Sequence, residues 1–344
     1  MQLFPAPSPD RFARRNVQMV LKFRPGSSQP ATRVPSQKMQ DRKFAITIPC
    51  YKSESTIAET LAGIMEQEEA VLQRVVCVVI ADDVSPDGTL DVVRRVWKRE
   101  WPPLKFETRR KNLGEMLNVN MTVAGLPDTV EWFLHMHGDN IPKPGWLRVI
   151  TDHCLAAGPN VAIVCASYDE FDETGREKMG EERPGAPPEM VSGNLESVRS
   201  TIRRGCWWHN SCGAIRVAAF RETGGLPPGM RQKGDWDFLL RILSAGWDIM
   251  YLPRTLMRYR QHAQSASGFA FTIHLDIEES LQVVLKYAAS LRAGDILYIH
   301  VRYAFRLARR FGASLYRREF KRAGKAALMS MRNASNCVSC LVSG

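Results

Sequence analysis

A chain of 344 residues with 44% hydrophobic and 24% charged side chains is large enough to bury its own core, and its composition excludes a wholly disordered or collagen-like polymer. The formal charge of +11 is unevenly placed: residues 1–43 carry 9 Lys/Arg against 2 acids and residues 286–344 carry 12 against 2, which leaves 26 basic and 32 acidic residues in 44–285. An acidic body with basic flanks argues against a nucleic-acid-binding domain and makes an anionic membrane surface a candidate partner of the flanks. No run approaches 18 apolar residues and no apolar leader opens the chain, so the expectation is a cytoplasmic protein, at most peripheral on the inner face of the membrane.

Residues 1–42 are rich in Pro, Ser, Gln and Arg and read as a flexible basic arm. From Lys43 the pattern alternates. Phe44 to Pro49 predicts a strand, Ser53 to Gln67 a helix with Ile57, Leu61 and Ile64 on one face, and the apolar run Val75 to Ala81 a strand buried on both sides. A helix over Thr89–Trp101, a strand over Leu104–Thr108, a helix over Glu115–Ala124 and strands over Val130–Met136 and Val161–Ser167 complete this half. Residues 169–200, rich in Pro, Gly and Glu, read as a mobile loop covering a site. Asp235 to Ala245 predicts a helix, Ile249 to Leu252 an added strand, and the chain beyond Phe269 is read as helical. The divisions are therefore the arm at 1–42, an α/β domain at 43–268, a basic helical extension at 269–332 and a tail at 333–344. The eight cysteines form no disulfide framework, and Cys337-x-x-Cys340 lacks a second pair, so a zinc or redox role is a weak reading of it.

Alternating elements imply βαβ units around a mainly parallel sheet flanked by helices, and such sheets bind ligands at the carboxyl ends of their strands. Two of the three segments that follow strands are acidic: Asp82-Asp-Val-Ser-Pro-Asp-Gly88 and His137-Gly-Asp-Asn140. There is no G-x-G-x-x-G after a strand and no G-x-x-x-x-G-K, so no dinucleotide or P-loop cradle is on offer. Carboxylates on a sheet edge suit a hard divalent cation holding a diphosphate.

The segments Ala45-Ile-Thr-Ile-Pro-Cys-Tyr51, Ala81-Asp-Asp-Val-Ser-Pro-Asp-Gly-Thr89, Asn112-Leu-Gly114, His137-Gly-Asp-Asn140, Gly234-Asp-Trp-Asp237 and Tyr259-Arg-Gln-His262 occur in the order and spacing of family 2 glycosyltransferases. The resemblance covers about residues 43–268. It implies a GT-A fold, an inverting transferase using a nucleotide-sugar donor, and a divalent metal, Mn²⁺ or Mg²⁺. By the same resemblance Asp83 holds the nucleotide, with Pro49, Tyr51 and Asn112 beside it. Asp139 is the metal-binding acid of the D-x-D motif, whose first Asp is His137 here, and His262 joins the metal shell or a phosphate oxygen. Asp235 is the base. Trp207, Trp208 and Asn210 line the acceptor and sugar pocket, with Asp237 behind it.

Each residue also has a plain structural reading. Asp82 and Asp83 could order a turn, His137 could be a hydrogen-bonded strand end, Asp235 could cap a helix, His262 could sit on a surface loop, and adjacent tryptophans are often core. A sugar nucleotidyltransferase is the alternative enzyme, but Pro49-Cys-Tyr-Lys52 does not supply the Gly-rich loop it needs. In the extension, Ile299, Tyr303, Leu307, Phe311 and Leu315 recur every four residues beside Arg302, Arg306 and Arg310. That stripe either packs on the domain or lies in a membrane surface, where a lipid-linked glycan acceptor would be found.

Overall fold

The protein is described here by a computed structural model that covers residues 43–262 and 273–343; the basic arm at 1–42 lies outside the described residues. The first half keeps the alternation read from the sequence, but its helices at Ile57–Met65 and Thr89–Val96 are shorter than expected and the helix at Trp146–Ala156 was not foreseen. Strand β1 (Phe44–Cys50) leads through α1 (Ile57–Met65) and the short α2 (Glu69–Leu72) to β2 (Val75–Asp82). Helix α3 (Thr89–Val96), β3 (Leu104–Thr108), α4 (Glu115–Ala124) and β4 (Trp132–His135) continue the alternation. Strand β5 (Ile141–Pro142), α5 (Trp146–Ala156) and β6 (Val161–Asp172) follow.

The second half departs from its reading in several places, among them the strand expected over Ile249 to Leu252, which runs from Asp248 to Gln261. Residues 169–200 do not form an open loop. Strand β6 runs on to Asp172 and is paired by β7 (Glu177–Lys178), while β8 (Glu189–Val191) pairs with β10 (Asp248–Gln261). The intervening chain is tied to the sheet edge by its own carboxylates, for Glu182 accepts from the backbone N–H and the hydroxyl of Thr255 at 2.6 and 2.7 Å. Helix α6 (Leu195–Arg204) then starts on an Asn194 cap that accepts from the Ser197 N–H. Strand β9 (Gly213–Arg216), α7 (Val217–Glu222) and α8 (Gly234–Ser244) precede β10.

The strands form one sheet in the order β3-β2-β1-β4-β9-β6-β10-β5, with β7 and β8 at its margin. Strands β1 to β4, β6 and β10 share one direction, because β9 is antiparallel to both β4 and β6 and β10 is parallel to β6. The period-2 alternation of side chains along β1 explains why both faces are covered. Phe44, Ile46 and Ile48 enter one core with Ile57, Leu61 and Ile64 of α1, while Ala45 enters a second core with Met116, Val119 and Val123 of α4. The result is the α/β sandwich of a curled sheet between helical layers.

The C-terminal helices complete that second core. Helix α9 (Leu275–Lys286) contributes Ile277, Leu281, Val283 and Val284, and α10 (Ala293–Tyr316) contributes Ile299, Tyr303 and Leu307. The stripe read from the sequence therefore packs on the domain over its first three positions, and only Phe311 and Leu315 are exposed. Arg310 binds Asp276 through both guanidinium nitrogens at 2.7 Å, and Arg306 approaches the same carboxylate at 3.7 Å. Helix α11 (Phe320–Ser343) extends through the segment read as a tail and carries Cys337 and Cys340, both unpaired, on one helical face. Among the described residues no helix is long and apolar enough to cross a membrane.

Candidate active site

The carboxyl ends of the parallel strands bring the sequence candidates to one edge. At the end of β2 the two acids do different work. Asp82 accepts from the Ser85 N–H, while Asp83, 3% exposed, accepts from the N–H groups of Leu113 and Gly114 at 2.8 Å each. Asn112 returns a hydrogen bond from Nδ2 to the Asp83 carbonyl at 3.1 Å. Gly114 stands at φ +80°, where a side chain would be strained, and so lets the chain turn sharply into α4. Asp83 and Asn112 thus build one rigid corner, and Tyr51 beside it at the end of β1 is 48% exposed.

Beyond β4, Asp139 and His262 meet although they come from different parts of the chain. His262 Nε2 lies 3.3 Å from Asp139 Oδ2, while Asp139 Oδ1 is shut from solvent with no hydrogen-bond partner. Arg260 fixes both sides of this pair. Its backbone N–H donates to Asn140 Oδ1 at 3.2 Å, its Nε donates to the Asp139 carbonyl, and its guanidinium is held by Glu59 at 2.9 Å. A carboxylate oxygen without a donor beside an imidazole nitrogen suits a divalent cation.

His137, at the first position of the D-x-D match, is paired with an acid from a neighbouring helix. Its Nε2 bonds Glu115 Oε1 at 2.8 Å, and its backbone N–H donates to Ser211 Oγ. Burial alone would lower the imidazole, but the Glu115 carboxylate overrides it and carries the group up to about 9. The Glu115 carboxylate thus favours the protonated form of His137. The neighbouring His209 is pushed down to about 3 by burial and by His137, and its ring packs at 4.7 Å on Tyr259 and 5.3 Å on Tyr168. Glu115, His135 and His137 also place one ligand atom each within 4.8 Å of one another. Sequence reading missed Glu115 and His135. The signal available was the His-x-His at a strand end, which puts both rings on one side of the chain, facing an acid that opens a helix.

Asp235 lies in the first turn of α8, and Lys233 rather than Asp235 is the cap residue. Its Oδ2 is 3.7 Å from the Cys206 thiol, its Oδ1 accepts from the Trp236 N–H, and burial raises its carboxyl, opposed by Lys233. The turn that delivers it is gripped by Glu279 of α9, whose carboxylate accepts from the N–H groups of Arg231, Gln232 and Lys233 at 2.7–2.8 Å. Three backbone donors on one buried carboxylate set the angle at which α8 begins.

One pocket assignment, that of Trp208, is corrected. Asp237 is fully buried and ion-paired with Arg241 at 2.9 Å and Lys286 at 2.5 Å, so it ties α8 to α9. Trp208 is 5% exposed and packs on Phe238, a core position. Trp207 is partly exposed, with Nε1 donating to Thr201 Oγ1, and Asn210 is buried in a 3-10 turn.

A curled, largely parallel sheet with an acid and a histidine at one edge and an acid at the head of a following helix defines the GT-A class of glycosyltransferase fold. The profile described as "Glycosyl transferase family 2" matches residues 45–222, and the chain belongs to that family. It is 24% identical over 230 residues to the succinoglycan biosynthesis protein ExoA of Rhizobium meliloti (strain 1021), covering 67% of this chain and 66% of ExoA, just under two thirds of that relative's length. It is 22% identical over 270 residues to the putative glycosyltransferase EpsE of Bacillus subtilis (strain 168), covering 75% of this chain and 86% of EpsE. Among solved structures, S. aureus TarS 1–349 in complex with UDP-GlcNAc shares the fold, with a TM-score of 0.57, 18% identity and coverage of 75% of this chain and 70% of TarS 1–349.

Proposed function

We propose that the protein transfers a sugar from a nucleoside-diphosphate sugar to an acceptor hydroxyl with inversion at the anomeric carbon, in the assembly of an envelope or extracellular polysaccharide. The observation that carries this reading is Asp235: a carboxylate with a raised pKa, held at the head of α8 by the Glu279 clamp. The name of ExoA supports the polysaccharide context, that of EpsE supports glycosyl transfer, and the nucleotide sugar held by TarS supports the donor class.

In this account Pro49, Tyr51 and the Asp83–Asn112 corner receive the nucleotide. Both Asp83 oxygens already accept an N–H, yet each keeps a free lone pair for a base or ribose donor. Asp139 and His262 would hold the divalent metal, Mn²⁺ or Mg²⁺, which when bound neutralises diphosphate charge as the leaving group departs. Asp235 takes the proton of the acceptor hydroxyl as the acceptor oxygen bonds to the anomeric carbon and the bond from that carbon to the diphosphate breaks. Trp207 and Asn210 flank the sugar. A lipid-linked acceptor fits the outer face of α10, where Leu297, Val301 and Phe305 are 52, 45 and 69% exposed in one helical row. The test is thermal stabilisation by a panel of nucleotide sugars with Mn²⁺ and with chelator. A matching donor raises the unfolding temperature only with metal, and a panel without any metal-dependent shift rejects the reading.

A further inference from the structure

Away from the sheet edge, α6 and α10 enclose a cavity of about 510 Å³ whose walls are dominated by Arg199, Arg203, Arg204, Arg292 and Arg302, with Tyr298 between them. The acids within it are Glu196 and Asp295, so five guanidiniums face two carboxylates. Those acids are already engaged: Asp295 pairs with Arg203 at 3.3 Å, and Glu196 lies 3.8 Å from Arg199 and 3.6 Å from Arg292. Arg204 and Arg302 have no carboxylate partner among the described residues, and the Nε of Arg302 is closed off from solvent with no acceptor. Two of the guanidiniums are held from behind by backbone carbonyls. Arg199 Nε donates to the Ser290 carbonyl at 2.6 Å, Arg302 Nη1 donates to the Arg203 carbonyl at 2.6 Å, and the Tyr298 ring lies 5.3 Å from the Arg203 and 5.9 Å from the Arg302 guanidinium carbon. An excess of oriented fork donors around a cavity is the chemistry that recognises phosphate oxygens.

We infer that this cleft between α6 and α10 binds a diphosphate group of the acceptor. The step from anion to acceptor rests on the proposed role of Asp235. Helix α6 ends at Arg204, and two residues later Cys206 places its thiol 3.7 Å from Asp235, so one short stretch of chain joins the arginine cleft to the proposed base. Tyr298 and Arg302 share α10 with the exposed row Leu297, Val301 and Phe305, so an alkyl chain leaving the diphosphate meets apolar surface at once.

The test is calorimetric titration of geranyl diphosphate and of inorganic diphosphate into the full chain in excess chelator, in the wild type, Arg204→Gln, Arg302→Gln and Asp139→Asn. The expected result is metal-independent binding that survives Asp139→Asn and weakens about tenfold or more in each arginine variant. Tighter binding of geranyl diphosphate identifies a lipid-linked source, and equal binding of the two identifies the bare diphosphate as sufficient. Arg204 is exposed, so Arg204→Gln carries the result if Arg302→Gln fails to fold. Absence of binding, affinity unchanged by Arg204→Gln, or binding lost in Asp139→Asn but kept in the arginine variants overturns the inference. Binding at the cleft together with full activity of Asp235→Asn would leave the anion site standing and remove its tie to the proposed base.

Discussion

Asp139 Oδ2 and His262 Nε2 stand 3.3 Å apart across a separation of 123 residues. Strand β10 creates this meeting by running parallel beside β6 to the edge that β4 also reaches, and Arg260 locks it by binding the Asp139 carbonyl and Asn140. If the pair holds the metal, His262→Ala lowers Mn²⁺ affinity in the presence of UDP by about tenfold or more. Electron paramagnetic resonance of free Mn²⁺ measures it, and an affinity within twofold of the wild type assigns His262 to a surface loop.

The pH dependence of turnover follows from Asp235. Its carboxyl is raised above the ordinary value of 3.8, and a base works only when deprotonated. The rate at saturating donor therefore rises with pH through an apparent pKa above 3.8 and reaches its plateau later than an exposed aspartate would allow. A pH–kcat profile that is flat from pH 4 upward contradicts this.

The Glu115–His137 pair predicts a second pH effect, on stability. The folded imidazole titrates near 9 against 6.5 when unperturbed, so its contribution is complete below pH 6.5 and is lost as pH rises through 9. Chemical denaturation at pH 6 and pH 9 should show a larger loss for the wild type than for Glu115→Gln. Parallel losses would mean that His137 carries no charge at neutral pH.

Glu279→Ala removes the acceptor of three backbone N–H groups ahead of α8. The expected cost is roughly 3 kcal/mol in urea unfolding, with kcat reduced more than donor affinity because the Asp235 turn loosens. Unchanged kcat in a folded variant would separate the clamp from the chemistry.

The elements with clean periodicity were legible from the residues alone. Strand β3 and helix α4 fall at the predicted bounds, and β2 extends the apolar run by one residue to Asp82. Strand β6 overran its reading because Tyr168 to Asp172 are held by long-range pairing, opposite Met257 to Gln261 of β10 and beside β7, which no local pattern announces. The six motifs converge on one candidate site, but their partners were hidden. Glu115 looks like any acid at a helix start, where the dipole favours it, and Glu279 lies beyond the family pattern. The stripe on α10 had the right period, and only the packing of α9 and α11 decided that Ile299, Tyr303 and Leu307 face inward.

The most direct test of the account is the Asp235→Asn variant in a nucleotide-sugar turnover assay, with donor affinity measured on the same preparation. Lys233 is the cap of α8 and Glu279 holds the preceding turn, so the near-isosteric amide leaves the fold and the donor site in place. The account predicts donor affinity within about twofold of the wild type and a kcat lower by roughly 10² or more. A kcat near the wild-type value, or donor binding lost together with activity, would contradict it.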